Sequence, residues 1–285
     1  MNYKLIISPW RNEFIEVIQN VKEELIISSP FIDKIGIEIL FNMIKTKDNI
    51  SFFLLTNLTK SNIINDLIQP DALLKLYDLP FDINISSIGK LHAKIYLVDK
   101  KNVVITSANL TKGGLLENFE YGIEIDDIEI ASSIREDMLK YFSLGNIVDK
   151  EIILKISHLH KNINELKSKI IEKGRESKIE ERLRKIEYEL ETEIFKNRIK
   201  ENKTINSIFA DTIIFLLKRK GPLKTKELHP LIQKIHPDIC DDTIDRVING
   251  QSFGKKWKHL VRDAQQFLKR KGLIYYKDGF WYLNR

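Results

Sequence analysis

Up to about residue 145 the chain alternates short apolar runs with amphipathic stretches, and beyond Lys150 the short runs give way to helical periodicity; no other feature limits the possible folds as strongly. Segments 5–8, 24–29, 50–56 and 83–88 have the length and the β-branched or aromatic content of strands. Between them, 11–21, 34–43 and 63–77 repeat apolar residues at helical spacing. Strands alternating with helices predict an α/β domain, here a three-layer α/β/α sandwich around a mixed sheet, closed by a helix over 128–142 and ending near Gly145.

The polar residues with chemical potential gather in the run HAKIYLVDKKNVVITSANLT, residues 92–111. Segment 91–99 reads as a strand, so His92 and Lys94 project from one face and set an imidazole beside an ammonium. A neutral imidazole, with an ordinary pKa of about 6.5, can attack phosphorus, and a fixed ammonium offsets the charge that gathers in the transition state. A turn through Asp99-Lys100-Lys101-Asn102 leads to a strand at 102–105, whose carboxyl end delivers Ser107 and Asn109, short groups suited to phosphate oxygens. Glu120 precedes a third strand at 121–125, placed to accept the second N–H of the imidazole and fix its tautomer. Singly these residues are ordinary, since a His beside a Lys is commonly a surface pair and Ser-Ala-Asn is turn chemistry. Together, on three successive strands, they point to one catalytic site. The polar loops Ser28-Ser29-Pro30 and Thr56-Asn57-Leu58-Thr59, at the carboxyl ends of earlier strands, are candidates to line the same cleft.

The spacing HxK, four residues, Asp, six residues, a small residue and Ser-x-Asn resembles the signature of the phospholipase D superfamily. The resemblance implies a phospholipase D-like α/β/α fold in which two copies of the motif face each other. One histidine forms a covalent phosphohistidine, the other protonates the leaving oxygen, and neither metal nor cofactor is needed. On matching positions, His92 takes either histidine role, Lys94 and Asn109 bind phosphate, and Ser107 supports the loop. Asp99 fits the structural position, and Glu120 fits the carboxylate that orients the histidine. Thr106 stands where the family usually has Gly, a departure that bears on loop shape. Of the six histidines only His92 is followed two residues later by lysine, so the single copy implies a homodimer with one shared site. Single-motif members of the superfamily are typically nucleases.

From Lys150, Ile152, Ile156, Leu159, Ile163, Leu166 and Ile170 step by three and four, and the seam resumes with Ile179, Leu183, Ile186 and Leu190. Segment 146–203 is therefore expected as a helical linker, either a hairpin turning near Gly174 or a longer helix with a defect. It reads as a spacer more readily than as a dimer zipper, with His158 and His160 solvated beside the seam.

Residues 204–285 carry 16 Lys and Arg against 8 Asp and Glu, a net +8 in a chain of +6 overall, so the basicity is local. Helices are expected at 205–218, 225–235, 242–248 and 255–270, followed by strands at 273–276 and 280–283 around a Lys277-Asp278-Gly279 turn. Helices followed by a hairpin resemble a winged-helix domain. Trp257, Leu260, Val261, Ala264, Phe267 and Leu268 should pack inward. Lys255, Lys256, Lys258 and Arg262 then crowd the amino-terminal half of a DNA-recognition helix, with Lys277 on the wing.

Composition sets the remaining bounds. With 285 residues and 43% hydrophobic content the chain can build two ordinary domains. The amino terminus lacks a signal-peptide pattern and no apolar run reaches the ~18 residues needed to span a bilayer, so a cytoplasmic protein without membrane contact is expected. Cys240 alone excludes an internal disulfide, and with His236 four residues away makes a weak case for metal. The combined expectation is a metal-independent, homodimeric DNA endonuclease in restriction or defence. RNA remains a possible substrate, and no residue specifies a partner ATPase or methyltransferase. The alternative is a winged-helix transcription regulator with a phospholipase D-like sensor domain, and a lipid phosphodiesterase is disfavoured by the absence of a membrane-binding helix.

Overall fold

The computed structural model describes residues 2–173, 177–200, 204–248 and 250–284, divided into two compact units, Met1–Asn197 and Arg198–Arg285. In chain order the first unit contains β1 (Asn2–Ile7), α1 (Arg11–Gln19), β2 (Glu24–Ser28), α2 (Lys34–Ile44), β3 (Ser51–Thr56), α3 (Lys60–Ile64), α4 (Pro70–Leu74) and β4 (Ile83–Ser87). There follow β5 (Ile95–Val98), β6 (Asn102–Thr106), β7 (Tyr121–Asp126), α5 (Ile128–Leu144), β8 (Asn146–Ile147), α6 (Lys150–Lys173) and α7 (Ser177–Lys200).

The eight strands form one mixed sheet in the order β1-β7-β6-β5-β2-β3-β4-β8, with β2, β3 and β4 parallel and the others antiparallel to their neighbours. β2 is buried at all five positions because both of its faces are covered. Leu25 and Ile27 share a core with Phe14, Val17 and Ile18 of α1 and with Ile37, Leu40 and Ile44 of α2. On the opposite face Glu24 accepts from Arg135 of α5 at 2.5 and 2.8 Å, and Phe53 meets Phe142 edge to face at 5.3 Å. This is the mixed three-layer α/β arrangement the alternating pattern predicts.

Four expectations for the fold of this unit need correction. The helix expected over 63–77 is broken: Asp66 adopts φ +57° and Pro70 opens α4, because a proline fits the first helical turn and not a helix interior. The domain does not end near Gly145, since β8 extends the sheet beside β4. Nor is the apolar seam a spacer. Ile152, Ile153, Ile156, Ile163, Leu166, Ile186 and Leu190 belong to the same core as the sheet. The Asn197 side chain donates to the Ile147 carbonyl at 2.6 Å, which brings the end of α7 back to the start of α6 as a hairpin; the turn expected near Gly174 lies outside the described residues. His160, expected in solvent, is buried and bonded to Asp66 at 2.8 Å.

The second unit comprises α8 (Ile205–Lys220), α9 (Thr225–Ile235), β9 (Asp245–Ile248), β10 (Gln251–Lys255), α10 (Lys256–Arg270), β11 (Ile274–Lys277) and β12 (Phe280–Leu283). Its core joins Phe209, Ile213 and Leu217 to Leu228, Ile232, Trp257, Val261, Leu268 and Trp281. The helix expected at 242–248 is instead the first strand of a β9–β10 hairpin. The β-branched pair Val247-Ile248 followed by Asn249-Gly250 is a hairpin signal, and Gly250 takes φ +80°, where a side chain is strained. Phe267 is exposed rather than inward, while Gln265 is buried and donates to Thr225.

Candidate active site

The start of β5, the end of β6 and the start of β7 lie at one end of the sheet, fixed by the register Ile95↔Ile105 and Thr106↔Gly122. His92 and Lys94 stand in the extended segment that enters β5, not in the strand itself, which begins at Ile95. That segment is braced from both sides. Ser28 Oγ donates to the Ala93 carbonyl at 2.9 Å, and the Lys94 carbonyl accepts from the Thr106 N–H at 3.2 Å.

Between these braces the His92 ring is exposed, whereas Lys94 is only 7% exposed. Lys94 Nζ donates to the His92 carbonyl at 3.0 Å and lies 3.4 and 3.3 Å from Nδ1 and Nε2. Near-equal distances mean that the ammonium lies on the lone-pair axis of neither nitrogen, so it acts on the ring as a charge. Burial pushes the Lys94 pKa below 10.5, and the Glu120 carboxylate opposes that shift.

Ser107 Oγ donates to Glu120 Oε2 and accepts from the Tyr121 N–H at 3.1 Å, while Asn118 Nδ2 donates to Glu120 Oε1 at 3.1 Å. Glu120 is thus anchored by Ser107 and Asn118 rather than by the imidazole of its own chain, as expected from position alone. Its backbone is tied to Ser8, whose Oγ accepts from the Glu120 N–H at 2.6 Å.

Asn109 follows on a loop whose backbone approaches Gly114 so closely that a Cβ there would meet the Asn109 carbonyl oxygen at 2.2 Å. Its side-chain Oδ1 is buried without a hydrogen-bond partner in the chain. Ser29 Oγ accepts from the N–H of the following residue, Leu110, at 2.9 Å. Thr106 is accommodated by the residue across from it. It pairs with Gly122, where a Cβ would meet Thr106 Cβ at 2.8 Å, so the small residue required at this point of the ladder lies on the partner strand.

Asp99 is not brought to this cluster. At the far end of β5 its carboxylate accepts from the backbone N–H groups of Lys22, Glu23 and Glu24 at 2.8–3.1 Å. It fixes the turn from α1 into β2 and holds the fold there. Of the two polar loops, Ser28 and Ser29 brace both halves of the motif, whereas Thr56 Oγ1 donates to the Pro30 carbonyl and Thr59 caps α3. Ser8, Asn118 and Trp10, which donates to the Gly114 carbonyl at 2.8 Å, have no signal in sequence spacing beyond being polar or aromatic residues beside strand ends.

In the second unit Lys256, Arg262 and Lys277 are exposed. Lys255 is paired with Asp245 at 2.8 Å and Lys258 lies 5.4 Å from the Trp257 ring centre, so neither is a wholly free charge. Lys258 and Arg262, one turn apart, together with burial, lower the His229 pKa to about 4, burial being the largest cause. His236 and Cys240 lie in the core, with His236 Nε2 and Thr212 Oγ1 2.8 Å apart.

Residues 14–142 match the family described as "Cardiolipin synthase, PLD-like domain". The matched span runs from within α1 through β7 and most of α5, leaves out β1 and β8, and takes in His92, Lys94, Ser107, Asn109, Asn118 and Glu120 but neither Ser8 nor Trp10. No curated protein matches the chain. Among solved structures, NucT from Helicobacter pylori is 19% identical over 49% of this chain and 94% of its own, with a TM-score of 0.41. Nuc from Salmonella typhimurium, a phospholipase D family member, is 17% identical over 52% and 97%, with a TM-score of 0.40. Phosphatidylserine synthase from Haemophilus influenzae is 17% identical over 49% and 37%, with a TM-score of 0.39. No helix among the described residues is long and apolar enough to cross a membrane.

Proposed function

We propose that the chain is a metal-independent DNA endonuclease that works as a homodimer through a phosphohistidine intermediate. The observation that carries this reading is the exposed His92 ring set against the buried Lys94 ammonium, at the sheet end that also holds Ser107, Asn109 and Glu120. A His92 nitrogen attacks phosphorus and one phosphorus–oxygen bond breaks. The departing oxygen takes a proton from the second subunit's imidazole, and water then cleaves the nitrogen–phosphorus bond to regenerate His92. Lys94 and the Asn109 amide bind the phosphoryl oxygens, and the charge they supply counts most where it develops.

The surface beside the site favours a dimer. Tyr3, Leu5 and Ile7, two residues apart on β1, are 60, 54 and 62% exposed, and Ile7 pairs with exposed Tyr121. These two residues are chain neighbours of Ser8 and Glu120, so an apolar face adjoins a site that has one histidine where the reaction needs two.

DNA as substrate is supported by the +8 charge of residues 204–285 and by helices α8, α9 and α10 followed by the β11–β12 hairpin, the order of a winged helix. In this reading Lys256, Lys258 and Arg262 of α10 face the duplex, Lys277 touches its backbone as a wing does, and Lys255 serves mainly to hold Asp245. A role in restriction or another defence system fits the pairing of a cleaving and a DNA-holding domain. Incubation with plasmid and single-stranded DNA in EDTA tests the reading: wild type should cut and His92→Ala should not. Loss of cutting in EDTA by a folded wild-type protein contradicts the metal-independent mechanism.

A further inference from the structure

We propose that the β9–β10 hairpin is a second DNA-reading element, an apolar wedge that enters a groove and unstacks a base step; the proposal rests on the DNA-binding reading above. Within ten residues the hairpin exposes four large apolar side chains, Ile244, Val247, Ile248 and Phe253, at 45–59%. None belongs to the core of its unit, and among the described residues β9 and β10 pair with no other strand. Ile244, Arg246 and Ile248, two residues apart, share one face of the extended chain.

An unsupported two-stranded hairpin is marginal in water, yet this one is held in a fixed pose. Lys255 pairs with Asp245 at 2.8 Å, and Ser252 Oγ donates to the same carboxylate at 3.0 Å. His259 of α10 sits between the strands, with Nδ1 3.1 Å from Arg246 Nη1 and Nε2 2.8 Å from the Phe253 carbonyl. The Lys256 N–H donates to the Ile244 carbonyl at 3.0 Å. Apolar groups are therefore presented rigidly at the amino terminus of α10.

Charge identifies the occupant. Residues 244–262 contain five basic side chains, Arg246, Lys255, Lys256, Lys258 and Arg262, and a single acid, Asp245, itself paired with Lys255. Lys255 is neutralised by Asp245 and faces Asp241 and Asp242, which leaves Arg246, Lys256, Lys258 and Arg262 along the same stretch as the apolar side chains, a pattern that matches a groove floor flanked by phosphates. Side chains of this kind insert between base steps and kink the duplex.

Full-length protein is titrated onto a short duplex carrying 2-aminopurine, whose fluorescence rises on unstacking, at several salt concentrations. Wild type should raise the fluorescence. The double variant Ile248→Ala, Phe253→Ala should bind about tenfold more weakly, lose the rise and keep the salt slope, whereas Lys256→Ala should lower the slope by about one and keep the rise. Thermal melting confirms that the variants are folded, as expected for residues outside the core. If the double variant binds and unstacks like wild type, or changes only the mass seen by light scattering, the wedge is wrong and the DNA-binding reading stands. If wild type binds no duplex, that reading falls and the wedge with it.

Discussion

The two ends of β5 belong to one short motif and do opposite things. At the amino end His92 is open to solvent beside a buried ammonium, and its ring makes no contact with Glu120 that would fix its orientation. At the carboxyl end Asp99 accepts from three backbone N–H groups, chiefly through Oδ1, and is tied into the fold. A signature that reads as one chemical unit is therefore a reacting half and a holding half separated by a strand. Substitutions at the two ends should fail in different ways.

The largest effect is expected at His92. His92→Ala should lower phosphodiester cleavage by at least about 10⁴-fold with no change in melting temperature, because the nucleophile is lost and an exposed ring carries no packing. Next comes Lys94→Ala, which should reduce kcat by about 10²–10³-fold. Since burial holds the Lys94 pKa below its ordinary value, activity should fall on the alkaline side as the ammonium deprotonates, and Lys94→Arg should remove that limb of the pH–rate profile. A profile unchanged by Lys94→Arg would break the assignment of charge to this residue.

At the other end Asp99→Ala should cost about 1–3 kcal/mol of stability in denaturant melts, because the N–H groups of Lys22, Glu23 and Glu24 lose their acceptor. The activity of the molecules that remain folded should be unchanged; a fall in their kcat would merge the two ends again. The smallest effect lies outside both. The folded His229 pKa of about 4 is below the unfolded value of 6.5, so this group's stabilisation is complete above pH 6.5 and is lost as pH falls toward 4. His229→Gln should flatten the pH dependence of melting of the second unit in that window, read by its tryptophan fluorescence.

The comparison also explains what was legible in the sequence. The central strands were, because burial on both faces leaves uninterrupted apolar runs such as Leu25-Ile26-Ile27. So was the placement of His92, Lys94, Ser107 and Asn109 at one end of the sheet, because their spacing follows strand and turn lengths. The partners of these residues were not. Ser28, Ser8 and Trp10 act through bonds to backbone atoms 65–112 residues away, and no local periodicity encodes such contacts. Glu120 was legible as a member of the cluster and misassigned in its contact, because Ser107 and Asn118 compete for the same carboxylate. The seam of α6 and α7 reads identically whether its cover is another helix or the α4 layer, and only the tertiary fold decides. Strand Asp245–Ile248 is exposed at all four positions and so lacks the alternation that marks a half-buried one; the turn signal that identifies it, Asn249-Gly250, lies just beyond it.

The proposed reaction requires that His92 bond to phosphorus. Wild-type protein mixed with DNA in EDTA, quenched in alkali within the first turnover and digested for mass spectrometry, tests it directly. A phosphoryl-linked nucleotide adduct is expected on the peptide containing His92, alkali-stable and acid-labile, and absent from His92→Ala. Cleavage that proceeds with no adduct at any quench time, or that survives in His92→Ala, would contradict it.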